Sequence, residues 1–144
     1  MRIYQATAAG RKHTEAGEPN QDWCKAVSLF NGFAAAAVLD GVSSVPHAER
    51  GSEIGGKAFL KAVEIGLEPY RTEMADRITD EKMREILRNA AVVAWNAIVQ
   101  RAQREGERTY ATTLHGVIFH ESSRTAWVLH AAVVRMTVLT CSNL

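Results

Sequence analysis

Apolar positions along this chain change their period twice. Trp23 to Phe30 reads as a strand, and so does the uninterrupted run Phe33-Ala34-Ala35-Ala36-Ala37-Val38-Leu39 that follows it. An apolar run of that length, closed by turn residues at each end, reads as a strand covered on both faces. Asn31-Gly32 between the two runs is the strongest short-range signal for a hairpin. Upstream, Ile3 to Ala9 predicts a short first strand. Gly10 to Pro19, punctuated by Gly10, Gly17 and Pro19, predicts a polar loop.

After Asp40 the period becomes helical. Val42 to Ala48 reads as a loop, and across Glu49 to Ile65 the residues Ile54, Ala58, Phe59, Ala62 and Ile65 recur at helical spacing. Glycines at 51, 55 and 56 would each weaken this helix by about 1 kcal/mol relative to alanine, so they are read as points of close packing. Their spacing is not that of a dinucleotide-binding loop. A second helix opens on Thr79 as N-cap, with Asp80 and Glu81 at the positive end of its dipole. Its stripe is Met83, Leu87, Ala90, Ala94, Ile98 and Ala102, and it fades into a charged, solvated end at Arg101 to Arg108. Strands return over Thr109 to Phe119 and from Ala126 onward, around a turn at Glu121 to Arg124. Strands, two helices, then strands predict an α+β fold: antiparallel strands with two packed antiparallel helices, and not a βαβ repeat.

Length and charge narrow the class. A chain of 144 residues supports a single domain. Its 17 Lys and Arg balance 16 Asp and Glu, and no basic stripe with interleaved aromatics is present, so nucleic acid is not an expected partner. No apolar run reaches membrane-spanning length, and Met1 leads almost directly into a strand, leaving no room for a signal peptide. Cys24 and Cys141 are too few for a disulfide framework and read as reduced thiols. The expected setting is cytoplasmic. Trp23, Trp95 and Trp127 read as core aromatics. The five histidines lack a ligand spacing: His115 and His130 fall on strands, exposed or hydrogen-bonded in the sheet, while His13 and His47 flank the chemistry described next.

That chemistry sits at the ends of the hairpin. Asp22 opens its first strand and Asp40 closes its second, so antiparallel pairing makes them neighbours. Asp-Gly at 40 and 41 is also what a plain turn would use. Two carboxylates brought together repel unless a cation lies between them, and a two-metal site resolves this. Hard divalent ions want oxygen ligands, which the carboxylates and the Gly41 carbonyl can provide.

Three short motifs in this order resemble the metal-dependent protein phosphatases of type 2C (PPM). Asn20-Gln21-Asp22 is similar to the family's Asn-Glu/Gln-Asp turn. Val38-Leu39-Asp40-Gly41-Val42-Ser43-Ser44 is similar to its strand-end Asp-Gly motif, and Thr109-Tyr110-Ala111-Thr112-Thr113-Leu114 to its Ala-Thr-Thr-Leu strand entry. The resemblance covers residues 1–131 and implies the N-terminal part of a PPM domain, a partial α-β-β-α sandwich. It implies that Asp40 bridges two Mn²⁺ or Mg²⁺ ions, that the Gly41 carbonyl ligates one, and that Asp22 acts directly or through water. Asp22 and Asp40 are thus the expected catalytic residues. The substrate it implies is a phosphoserine or phosphothreonine protein. Thr112 and Thr113 would be structural. The family's phosphate-binding arginine has only Arg11 and Lys12 as upstream equivalents, and Arg11 is the expected one.

The pattern departs at the end. After His130-Ala131 the family continues into Gly-Asp, whereas this chain reads Ala132-Val133-Val134-Arg135, and no Asp or Glu follows Glu121. Residues 132–144 are therefore expected to be a divergent tail of a frameshifted or truncated gene, leaving strand edges open to self-association. Two functions follow: a protein phosphatase lineage, with this chain of doubtful turnover, or a non-catalytic phosphatase fold that binds partners. Completeness of the metal site separates them.

Overall fold

A computed structural model describes residues 2–45, 47–72, 78–106, 110–132 and 135–142. Strands β1 (Asp22–Ser28), β2 (Phe33–Asp40), β3 (Leu114–His120), β4 (Thr125–Ala132) and β5 (Arg135–Ser142) form one antiparallel sheet in the order β1-β2-β3-β4-β5. Helices α1 (Arg11–Ala16), α2 (Ala48–Leu67) and α3 (Asp80–Arg104) complete it. The class is α+β, as expected.

Local chemistry explains the elements. Asn31 and Gly32 both take positive φ, 51° and 76°, the backbone that lets a tight turn match strand twist. The Phe33 N–H closes that turn on the Phe30 carbonyl at 2.9 Å. Thr79 caps α3, its hydroxyl accepting from the Lys82 N–H at 3.2 Å. The α3 stripe Met83, Leu87, Ala90, Ala94, Ile98 and Ala102 is wholly buried.

The helix pair covers one face of the sheet. Phe33, Ala35, Ala37 and Leu39 of β2, with Ile118, Trp127 and Leu129, pack against Phe59, Val63 and Leu67 of α2 and Met83 and Leu87 of α3. A Cβ on Gly55 would meet Ile98, and one on Gly66 would meet Ile86, so α2 and α3 run antiparallel. Close approach also sets Gly116, where a Cβ would lie 2.2 Å from the buried Phe59 ring. Gly116→Ala is accordingly expected to cost about 1–3 kcal/mol by overpacking. Urea unfolding with an unchanged m-value would read it.

Several sequence expectations need correction. The α2 stripe lies elsewhere than expected: Ile65 is 61% exposed, and the buried face runs through Gly51, Gly55, Phe59, Leu60, Val63 and Leu67. β2 is covered along its whole length on one face only: on the other, Ala34 is buried and Ala36 half-buried, but Val38 is 51% exposed and Asp40 is exposed. Ala34 and Ala36 read as apolar but carry a single methyl each, so hydropathy could not tell one covered face from two. Ile3 to Ala9 is not a strand. It runs beside β1 tied by side chains, the Ala26 N–H donating to Gln5 Oε1 at 2.6 Å and the Asn20 amide to Thr7 Oγ1 at 3.1 Å. Within the loop expected over Gly10 to Pro19, residues 11–16 form α1, closed by Gly17 at φ 68° with the Glu18 N–H donating to the His13 carbonyl at 2.8 Å. Six residues are too few to show a period. Trp95 is 46% exposed, since it falls beside the α3 stripe and not on it. Trp127 is buried, its Nε1 donating to Asp80 at 3.0 Å. Among the described residues no helix is long and apolar enough to cross a membrane.

Candidate functional site

The β1–β2 register sets Asp22 directly opposite Asp40. Partial burial first, then a hydrogen bond with Asp40 and that residue's charge, raise the Asp22 carboxyl above its ordinary value, while His13 pulls it down. A cation between the two carboxylates would relieve their repulsion.

Backbone and hydroxyl groups from three separate stretches hold the pair. Asn20 Oδ1 accepts from the Asp22 N–H at 3.1 Å, an Asx turn that starts β1 at that residue. The Gln21 carbonyl accepts from the Gly41 N–H at 3.2 Å and from the buried Ser52 hydroxyl of α2 at 2.6 Å. A Cβ at Gly41 would lie 2.7 Å from that carbonyl and 2.9 Å from the Ala48 carbonyl, so only glycine lets the strands and α2 meet here. On its other side, the Asp40 carbonyl accepts from the Thr113 N–H and from Thr112 Oγ1, each at 2.9 Å. The Asp40 N–H donates to Thr113 Oγ1 at 3.2 Å. The threonines expected to be structural thus fasten the backbone of Asp40 itself.

The other expected residues are placed as follows. Arg11 lies on α1, with its Nε donating to Glu15 at 2.7 Å, and contacts neither aspartate. His13, also on α1, is half-buried and bonded to Glu18 at 2.7 Å. Its influence on Asp22 was hidden in the sequence because α1 itself was. His47 precedes α2 at φ 57°, 3.6 Å from Glu49. A cleft of about 410 Å³ runs between residues 4–7 and the hairpin, lined by Asp22, Cys24, Val38 and Asp40.

Two opposed carboxylates beside backbone oxygens are the donor chemistry of Mg²⁺ or Mn²⁺. Among the described residues no cluster of three or more His, Cys, Asp or Glu that could hold a metal ion is present. The raised Asp22 value has a sign. Between its ordinary 3.8 and the raised folded value, the folded chain binds more protons than the unfolded one, so stability falls as pH rises through that window. Asp22→Asn is expected to remove this slope and stabilise the metal-free chain at neutral pH. The gain is on the order of 0.5 kcal/mol, because both carboxyls are solvent-screened. Melting temperatures of both proteins in chelator across pH 4–7 would show it.

Fold and site together define a phosphatase-type scaffold. The sequence profile of the protein phosphatase 2C family matches residues 9–132, and the chain belongs to that family. Among solved structures, a serine/threonine phosphatase of S. agalactiae aligns at 13% identity and TM-score 0.54, over 84% of this chain and 49% of that one. A stage II sporulation E family protein of Thermanaerovibrio acidaminovorans aligns at 11% identity and TM-score 0.52, over 75% of this chain and 43% of that one. The chain thus spans about half the length of these structures. No curated protein matches it.

Proposed function

We propose that Asp22, Asp40 and the Gly41 carbonyl hold two Mn²⁺ or Mg²⁺ ions for hydrolysis of phosphoserine and phosphothreonine in proteins. The observation that carries this reading is the placement of Asp22 directly opposite Asp40, where partial burial and the charge of Asp40 raise the Asp22 carboxyl's pKa. Ions bound there would lower the pKa of a shared water and clamp the phosphate for in-line attack. The protein's own part is positioning. Thr112 and Thr113 fix Asp40, Asn20 aims Asp22, and Gly41 lets the two motifs touch. Arg11, exposed at the end of α1 nearest Gly10, is the proposed phosphate contact, once it leaves Glu15.

The second reading is a phosphoprotein-binding module without turnover. It is favoured by the donor set, which among the described residues stops at two carboxylates. One experiment separates them: incubation of the folded chain with a phosphothreonine peptide, with and without Mn²⁺, beside Asp40→Asn. Mn²⁺-dependent phosphate release lost in the variant is the expected result. Mn²⁺-dependent peptide binding with no release would select the binding module, and neither release nor binding would defeat both.

A further inference from the structure

The acidic pair uses β1 and β2, whereas the same open face of the sheet carries a second pair of metal-ligand side chains on β3 and β4. His115 and His130 are direct cross-strand partners and both are exposed. Their Nδ1 atoms lie 3.0 Å apart, and their rings are 4.3 Å apart, tilted by 39°. At that separation the two ring nitrogens are within hydrogen-bonding distance of each other, with the donor set by the tautomer. A metal ion bound by both nitrogens could take the place of that contact.

The geometry discriminates among ions. With metal–nitrogen bonds of about 2.0–2.1 Å, nitrogens 3.0 Å apart subtend an angle of roughly 91–97° at the metal. That suits adjacent positions of a tetragonal or octahedral ion. A tetrahedral ion, with an angle near 109°, would need the nitrogens about 0.3 Å further apart. Imidazole nitrogen also selects Cu²⁺ and Ni²⁺ over the hard ions that carboxylates prefer.

The other histidines and the nearby thiol are engaged elsewhere. His120 is buried, bonded to Ser123 at 2.9 Å and stacked on Phe33. His13 and His47 pair with glutamates. Cys24 stands on the edge strand, its thiol donating to the Ala6 carbonyl at 3.3 Å.

We propose that His115 and His130 form a two-imidazole site for a tetragonal divalent transition ion, Cu²⁺ first and Ni²⁺ next, with water completing the coordination. The site is separate from the acidic pair and clips β3 to β4. Because it uses none of the groups assigned to phosphate chemistry, it stands or falls independently of that assignment.

The test is a Cu²⁺ titration of tag-free protein in a non-coordinating buffer, followed by electron paramagnetic resonance and by melting temperature. One Cu²⁺ per chain with hyperfine structure from two equatorial nitrogens is expected, along with a raised melting temperature. Affinity should fall in the order Cu²⁺, Ni²⁺, Zn²⁺. His115→Gln and His130→Gln should each weaken Cu²⁺ binding tenfold or more and abolish the two-nitrogen signal, leaving Mn²⁺ binding unchanged. On the unmodified chain, Cu²⁺ should broaden the His115 and His130 imidazole resonances before any other histidine's. The proposal is overturned by unchanged Cu²⁺ binding in the single variants, by broadening centred on other histidines, or by no stoichiometric binding in the unmodified chain.

Discussion

In Asp40→Asn the rise in melting temperature caused by Mn²⁺ is expected to vanish. A ligand that binds only the folded chain stabilises it by about 2.7 kcal/mol at a hundredfold excess over its Kd, several degrees for a chain of this length. Asparagine has nearly the shape of aspartate, and the bonds that fasten position 40 run through its backbone to Thr112 and Thr113. The substitution therefore removes charge without loosening the strand. Loss of the charge facing Asp22 should also leave the metal-free variant at least as stable as the parent. Thermal unfolding with Mn²⁺ and with chelator reads both effects. A variant that melts lower in chelator would mean that Asp40 is structural, whereas one that keeps the full Mn²⁺ shift would mean that the ion binds elsewhere.

The largest stability effect should come from the core. Phe59 is fully buried between α2 and the sheet, its ring seated on Gly116. Phe59→Ala leaves a cavity in the core, at a cost of about 3–5 kcal/mol, a large share of a domain's usual 5–15 kcal/mol. Because residue 116 is a glycine to make room for that ring, Gly116→Ala should cost less in the Phe59→Ala background than alone. The two changes share one space and are not additive. Denaturant midpoints of the two single variants and the double would show the coupling, and strict additivity would contradict the packing described.

What could be read from the sequence was local. Asp22 and Asp40 meet because a short Asn-Gly hairpin links them, and that inference needs only the antiparallel rule. The α3 stripe and its Thr79 cap were equally visible. Contacts that span long stretches of chain were not. Nothing in the Thr-Thr dipeptide announces hydroxyl bonds to a carbonyl 72 residues away. Helix α1 was invisible because a single turn and a half has no apolar stripe, and with it went the pairing of Arg11 with Glu15 and of His13 with Glu18. His115 and His130 were correctly placed on strands. Their direct opposition depends on the register that the Glu121–Arg124 turn imposes, with Arg124 at φ 51°, which composition alone does not reveal.

The reading of the acidic pair as a divalent-metal centre is tested most directly by counting bound Mn²⁺. Electron paramagnetic resonance of free Mn²⁺, titrated against the unmodified chain, Asp22→Asn and Asp40→Asn, gives the number of ions and their affinity. Saturable binding approaching two ions per chain, weakened tenfold or more by either substitution, is the expected result. Equal Mn²⁺ binding by all three proteins, or none by the unmodified chain, would contradict it.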